Sequence, residues 1–304
     1  MMKPKYLSLS KKDWKHKIER GQELLAPCQI CPWECGVSRT DKNAPTGICG
    51  MREAPVISSA HPHFGEEKCL VGHNGSGTIF FTSCNLSCVY CQNFRISQQR
   101  MGQVITIQEL AQTMLKLQKQ GCHNINLVSP SIWVPQILKA LSLAKKDGLN
   151  LPLVYNTGGY DRPETLKLLE GVIAIYMPDI KYSENKMGEK YSGVPDYWDT
   201  ARKAIKEMHH QAGDLKINDE GIAKKGLLVR HLILPNNIAG TKQVMNFLAK
   251  KISKNTYVNI MDQYRPTHNA SNYPKLSRTI TKEEFKNAVQ KAREVGLWRF
   301  DHLT

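Results

Sequence analysis

The segment FFTSCNLSCVYCQNF, residues 80–94, carries Cys84, Cys88 and Cys91. Thiolates bind iron and zinc, and a metal centre held by cysteine alone takes four of them. Three at this spacing either borrow a fourth ligand or leave one metal position open. An open position is a catalytic one, because a second molecule can bind the metal directly. A cubane iron–sulfur cluster held by Cys84-x3-Cys88-x2-Cys91 would have one iron without a protein ligand. The plainer alternatives are structural zinc completed by another cysteine, and three unrelated buried thiols.

A second set is complete by itself. In CQICPWECGVSRTDKNAPTGICG the spacing is Cys28-x2-Cys31-x3-Cys35-x13-Cys49, with Pro and Gly residues that allow tight turns near a metal. Four thiolates close a coordination sphere, which suits either structural zinc or an auxiliary 4Fe–4S cluster. The chain has nine cysteines, and the remaining two stand apart. Cys122 opens a strand and reads as a small buried residue. Cys69 lies in HFGEEKCLVGHNGSG, residues 63–77, and reads as a loop thiol. His61, His63 and His73 could make a metal site, for which spacing alone is a weak signal, and this stretch reads as a lid or linker.

The elements that must position these residues are legible from about residue 76 onward. Short apolar, β-branched or aromatic runs fall at 77–83, 124–129, 151–156, 172–180, 226–234 and 257–264. Several are apolar at nearly every position, as strands covered on both faces are. Amphipathic stretches at 106–121, 134–148, 162–171, 196–211, 241–252 and 281–296 read as helices. The first opens with Thr106 and Glu109 at capping-box spacing. A short helix over 11–25 is the one periodic stretch before them. Strand and helix alternation gives an α/β fold built of βα units. Ligands of such folds bind at the carboxyl ends of the strands. That rule gathers the three-cysteine loop, Ser129 and Ser131, Asn156 and Thr157, Asp179 and Lys181, and Asp262, Gln263 and Tyr264 on one rim, with Arg230 inside the fifth strand. Residues 1–60 read as a Cys-rich, metal-binding extension, and 61–304 as the barrel with its C-terminal helix.

Cys84-x3-Cys88-x2-Cys91, with Tyr90 before the last cysteine, resembles the signature of the radical S-adenosylmethionine (SAM) superfamily. The resemblance covers about residues 76–265 and implies a partial (β/α)6 barrel of the TIM type. It implies that SAM chelates the open iron of a 4Fe–4S cluster through its amino and carboxylate groups. An electron from the cluster then cleaves SAM, and the 5′-deoxyadenosyl radical takes a hydrogen atom from substrate. Within the superfamily, YNTGGY (155–160), PDIK (178–181) and VRHLILPNN (229–237) resemble segments of pyruvate formate-lyase activating enzyme-like proteins. By that resemblance Lys181 and Arg230 pair with the SAM carboxylate. Asp179 and Asn156 bind its ammonium or ribose, and Tyr90 lies near the adenine. The family's Gly-Gly-Glu after the second strand is replaced by Ser129-Pro130-Ser131, so hydroxyls and carbonyls must substitute for a carboxylate. The sixth-strand end, MDQYRPTH (261–268), also departs, and resembles a subgroup of activating enzyme-like proteins more than the activating enzyme itself. The resemblance implies an electron donor such as a flavodoxin or ferredoxin. It leaves the substrate open between a partner protein, such as a glycyl radical enzyme, and a small molecule or other protein residue.

The whole-chain properties fit these readings. A chain of 304 residues with 41% hydrophobic content buries a full-sized core. No apolar run is long enough to span a membrane, and the basic start lacks the apolar middle of a signal peptide, so a cytoplasmic protein is expected. Net charge is +15, but the lysines are scattered and no nucleic-acid motif accompanies them. A zinc-binding, basic interaction module for RNA is the non-enzyme alternative. It leaves the βα units and the polar strand ends unexplained.

Overall fold

A computed structural model of the chain describes residues 3–301. Among the described residues there are ten strands: β1 (Val56–His63), β2 (Ser76–Phe81), β3 (Gln103–Val104), β4 (Ile125–Val128), β5 (Leu153–Thr157), β6 (Ile175–Pro178), β7 (Lys216–Ile217), β8 (Ala223–Leu232), β9 (Tyr257–Met261) and β10 (Arg299–Phe300). The sheet runs β10-β9-β8-β6-β5-β4-β2-β1-β3, and β7 pairs with β8. From β2 through β4, β5, β6, β8 and β9 to β10 every neighbour is parallel, whereas β1 pairs antiparallel with β2 and β3. The six expected strands are therefore the parallel core of an α/β sheet whose edges do not meet.

Register explains why these strands read as apolar throughout. Residues paired across a parallel sheet point to the same face, and successive residues alternate. Ile79, Phe81, Ile125, Leu127, Tyr155, Val229 and Val258 face outward and join the main core with the helices. Val154, Ile175, Met177 and Leu228 face inward and pack with Cys69 and Leu70. Each strand is thus buried on both faces. Polar residues also occupy inner positions: Asn126 near the start of β4, Asn259 midway along β9, and Asn156, Asp179 and Arg230 toward the carboxyl ends.

The expected helices form at Lys11–Glu23, Ile107–Lys119, Val134–Lys146, Pro163–Leu168, Tyr197–Ala212, Thr241–Phe247 and Lys282–Glu294. Thr106 and Glu109 form the capping box, with the Thr106 backbone N–H donating to the Glu109 carboxylate at 2.7 Å. Thr281 and Glu284 cap the last helix in the same way. No helix among the described residues is long and apolar enough to cross a membrane.

Several elements escape the sequence reading, among them β1 and the helix Asn185–Ser192. β1, VISSAHPH, contains Pro62 and is half-buried along its length, so neither propensity nor alternation marks it. It runs across residue 60, and β2 and β3 supply its hydrogen bonds. The helix Asn185–Ser192 is polar and ends on Gly193 in the left-handed conformation. The stretch expected as a lid or linker has a different place. It joins the end of β1 to the start of β2, so it closes the barrel at the end opposite the rim. Its short helix, Lys68–Val71, buries Cys69 and Leu70 inside the barrel.

The extension is fastened along the barrel wall. Tyr6, Trp14, Cys31 and Met51 belong to the main core. Arg39 is buried, donates to the Arg52 carbonyl at 2.7 Å and the Ile132 carbonyl at 2.6 Å, and lies 4.9 Å over the Trp133 ring. Thr165 donates to the Ile30 carbonyl at 2.6 Å.

Candidate functional site

The chain leaves β2 through Ser83, whose φ of 71° lies in the left-handed region, and the cysteine loop begins at the next residue. The loop has no regular structure of its own. It hangs on backbone hydrogen bonds from Ser87 to the Ser192 carbonyl and from Val89 to the Tyr191 carbonyl, both 2.9 Å. The amide of Leu86 donates to Cys84 Sγ at 3.4 Å. Cys88 Sγ lies 3.0 Å from Ser192 Oγ, and Cys91 Sγ lies 3.2 Å from Ser97 Oγ. Such donors stabilise thiolate and sulfide charge. Burial pushes the Cys84 thiol up to about 12 and Cys88 to about 11, the latter against the pull of Lys181. A metal must therefore displace their protons on binding.

All three cysteines face one cavity of about 710 Å³. Its wall includes Tyr90, Ser129, Asn156, Thr157, Asp179, Lys181, Arg230 and Gln263, so these expected residues converge. Ser129 takes a φ of 58° and donates its backbone N–H to the Asn156 carbonyl at 2.9 Å. Asp262 and Tyr264 also line the cavity. Tyr264 is buried, and its hydroxyl donates to the Leu276 carbonyl at 2.7 Å. Ser131 does not reach the wall: it is buried behind it, with Oγ 3.0 Å from Thr157 Oγ1. Thr157 in turn donates to Asp161 at 2.6 Å. Asp161 thereby anchors this corner, a role nothing in the sequence marks.

Lys181 donates to Asp179, and each lies in the wall. Burial alone would depress the ammonium, but Asp179 and Cys88 outweigh it and hold Lys181 well above its ordinary value. The neighbouring His231 fixes this corner from behind. Its Nδ1–H donates to the Ile180 carbonyl at 2.6 Å, so Nε2 accepts from the Thr241 hydroxyl at 3.0 Å. Gly159, with φ +81°, lets the chain pass close by: a Cβ there would lie 2.1 Å from the Asp179 carbonyl oxygen.

Arg230 has partners that the sequence reading did not foresee. Glu67 accepts from Arg230 Nε at 2.6 Å and from Nη2 at 2.8 Å, and Glu66 accepts from Nη2 as well. Asn259 donates to Glu67 at 2.8 Å, and Asn126 donates to Glu66 at 3.0 Å. Burial would raise the Glu67 carboxyl, but the charge and hydrogen bonds of Arg230 and the Asn259 amide hold it below the usual range. Both glutamates come from the stretch read as a lid or linker, and both line the cavity from its closed end. Only GEE, three residues of no periodicity, stood as a signal for them.

The second cysteine set converges too. Cys28, Cys31, Cys35 and Cys49 line one small cavity, and burial pushes Cys31 up to about 12. Gly47 leaves room for Cys35, whose Sγ would lie 2.9 Å from a Cβ. Two hydrogen bonds join this segment to the other loop: Ser83 Oγ to the Cys49 carbonyl at 2.8 Å, and Trp33 Nε1 to the Asn85 carbonyl at 2.8 Å. Among the described residues, no three His, Cys, Asp or Glu side chains are gathered as ligands of a single ion would be, the three histidines included.

A family model described as the radical SAM superfamily matches residues 78–218, from β2 to just past β7. An uncharacterized protein of Methanocaldococcus jannaschii is 34% identical over 291 residues, covering 92% of this chain and 78% of the relative. Among solved structures, HydG, a maturase of the FeFe-hydrogenase, has a TM-score of 0.50 at 14% identity, covering 96% of this chain and 63% of its own. Methylornithine synthase has a TM-score of 0.48 at 16% identity over 70% of this chain and 60% of its own. The chain spans less than two thirds of each of these two structures, and the likeness to HydG speaks to fold alone.

Proposed function

The chain belongs to the radical SAM superfamily, which implies a 4Fe–4S cluster and SAM, and from that premise we propose that it abstracts a hydrogen atom from a substrate held in the cavity below the three-cysteine loop. The observation that carries this reading is the convergence of Cys84, Cys88 and Cys91 with the strand-end polar residues on one cavity. Cys84, Cys88 and Cys91 would hold the cluster. Bound there, cluster and SAM supply a strongly oxidising carbon radical. The chain's own residues bind, orient and exclude water. Asp179, Asn156 and Thr157 offer acceptors for ammonium and hydroxyl groups, and Ser129 presents a strained backbone corner. Lys181 offers an ammonium to a carboxylate, and Tyr90 and Gln263 line the same wall. Arg230 shares its charge between Glu66 and Glu67, so it acts chiefly by holding the closed end of the cavity.

An activase that attacks a backbone glycine needs an open mouth and has no use for charged groups far below it. The glutamates at the closed end favour a small molecule, or a side chain that reaches in, over a glycyl radical enzyme. The activase reading keeps the support of PDIK, residues 178–181.

At the second set we propose an auxiliary cluster. The four cysteines line one small cavity, and a chain that receives iron and sulfide at its first site can take up a second cluster. The hydrogen bonds to Ser83 and Asn85 bring this segment to the catalytic loop.

Anaerobic purification and reconstitution, followed by metal counting and assay of 5′-deoxyadenosine with dithionite and SAM, tests both readings. About eight irons per chain and cleavage lost in Cys88→Ala support both. About four irons and one zinc keep the enzyme and overturn the auxiliary cluster. Zinc alone without cleavage overturns the function.

A further inference from the structure

Half of the large apolar side chains that the described residues expose lie in one corner: Ile48 (52%), Met101 (55%) and Val104 (70%). They belong to the segments that hold the end of β2. Ser83 donates to the Cys49 carbonyl at 2.8 Å and to the Ile96 carbonyl at 2.9 Å, and Thr82 donates to the Met101 carbonyl at 3.0 Å. Single apolar side chains on a surface are ordinary, whereas a group of them marks a contact. Arg100 joins Ile48 to Met101. Its guanidinium donates to the Ile48 carbonyl at 3.2 Å and rests on Gly50, where a Cβ would collide with it. Its φ of 59° lies in the left-handed region, which an arginine adopts at a cost. The fold keeps this strained corner, and with it an exposed cation beside Cys49.

The corner also lacks negative charge. Residues 42–51 and 92–108 contain no Asp or Glu. Arg95 and Arg100 are exposed there, and among the described residues neither takes part in an ion pair. The acids at its borders are engaged: Asp41 accepts from the Asn43 amide at 2.8 Å, and Glu53 pairs with Lys139 at 3.5 Å. Elsewhere exposed cations face carboxylates, as Arg20 faces Glu23, Lys186 faces Glu184 and Arg278 faces Glu284. Unpaired cations around apolar side chains complement an acidic protein surface. A nucleic acid is the poorer match, because Ile48, Met101 and Val104 offer no ring for a base to stack on.

The same corner touches both cysteine sets. Ile48 immediately precedes Cys49, and the segment that ends at Met101 carries Ser97, whose Oγ lies 3.2 Å from Cys91 Sγ. We propose that this corner, with Ile48, Arg100 and Met101 at its centre, is the docking surface for an acidic one-electron carrier protein. This inference rests on the radical SAM reading for the need of an electron. The carrier gives up one electron to the iron held by the cysteines and leaves oxidised, and no bond is made or broken. Ile48 and Met101 supply the water-excluding centre of the contact, and Arg95 and Arg100 supply the charge that orients the carrier.

The test is calorimetric titration of the iron-reconstituted full chain with an acidic flavodoxin. Binding weakens about tenfold or more in Arg100→Glu and about threefold in Ile48→Asn. Lys15→Glu makes the same charge change on the first helix, where the lysine is exposed, and leaves the affinity within about twofold of wild type. 5′-Deoxyadenosine formation driven by dithionite stays at the wild-type level in Arg100→Glu, which shows an intact fold, while formation driven by reduced flavodoxin falls with the affinity. Should Arg100→Glu fail to hold iron, Arg95→Glu and Ile48→Asn decide in its place. Absence of flavodoxin binding in the wild type overturns the proposal, and so do losses in Arg100→Glu no larger than in Lys15→Glu. Binding of a single-stranded oligouridylate that outcompetes flavodoxin and is lost in Arg100→Glu assigns the corner to nucleic acid and overturns it equally. Dithionite-driven cleavage without localised flavodoxin binding removes the docking surface alone. Localised binding without cleavage in the wild type removes the radical SAM function and leaves the surface standing.

Discussion

At the scale of single residues, buried charge and buried imidazole make opposite demands. Arg230 meets Glu66 and Glu67 inside the barrel, where removing the guanidinium leaves both carboxylates uncompensated. Arg230→Met should lower stability by about 3 kcal/mol, read as a shift of the denaturant midpoint at unchanged slope. Adding Glu66→Gln and Glu67→Gln to Arg230→Met should recover part of that loss. His231 is a separate case. Burial lowers it from 6.5 to about 4. The unfolded chain takes up its proton as pH falls through 6.5, whereas the folded chain resists until about 4. Stability from this group is therefore full above pH 6.5 and falls toward pH 4, by on the order of 3 kcal/mol. His231→Gln should flatten that part of the stability–pH curve, and an unchanged slope would refute the assignment.

At the scale of elements, the corner after β5 decides whether the rim forms. Gly159 combines a left-handed φ with a backbone oxygen 2.1 Å from where a Cβ would go. Gly159→Ala should cost on the order of 3 kcal/mol. Gly148, with φ +95° and nothing within 4 Å, is the natural control. Gly148→Ala pays only the backbone strain, about 1 kcal/mol. The difference between the two melting shifts isolates the clash. The stretch between β1 and β2 shows the other side of element-scale reasoning. Its GEE and KCLV segments are too short to carry a period, so sequence offered no direction for their side chains. The register of β1 against β2 sends them into the barrel.

At the scale of the whole molecule, extension and barrel form one unit. Arg39 ties residues 39, 52 and 132 together, and Trp33 and Ser83 bridge the two cysteine segments. Arg39→Leu strands the Arg52 and Ile132 carbonyls and should cost about 3 kcal/mol. Wild type should melt in a single transition by both far-ultraviolet and near-ultraviolet signals. Two transitions in the wild type would show that the extension folds apart.

What sequence determined here is what short-range chemistry can encode. The two cysteine sets, the six parallel strands and the capped helices are local, because ligand spacing, two-faced burial and capping each span a few residues. The rim could be inferred as well, since strand ends of a βα fold share one side. What only tertiary structure decided is long-range pairing. Glu66 and Glu67 meet Asn126, Arg230 and Asn259 across as many as 192 residues. Ser131 turns to Thr157 instead of the cavity. A carboxylate's partner is set by where the backbone brings it, and burial then fixes the charge that the cavity presents.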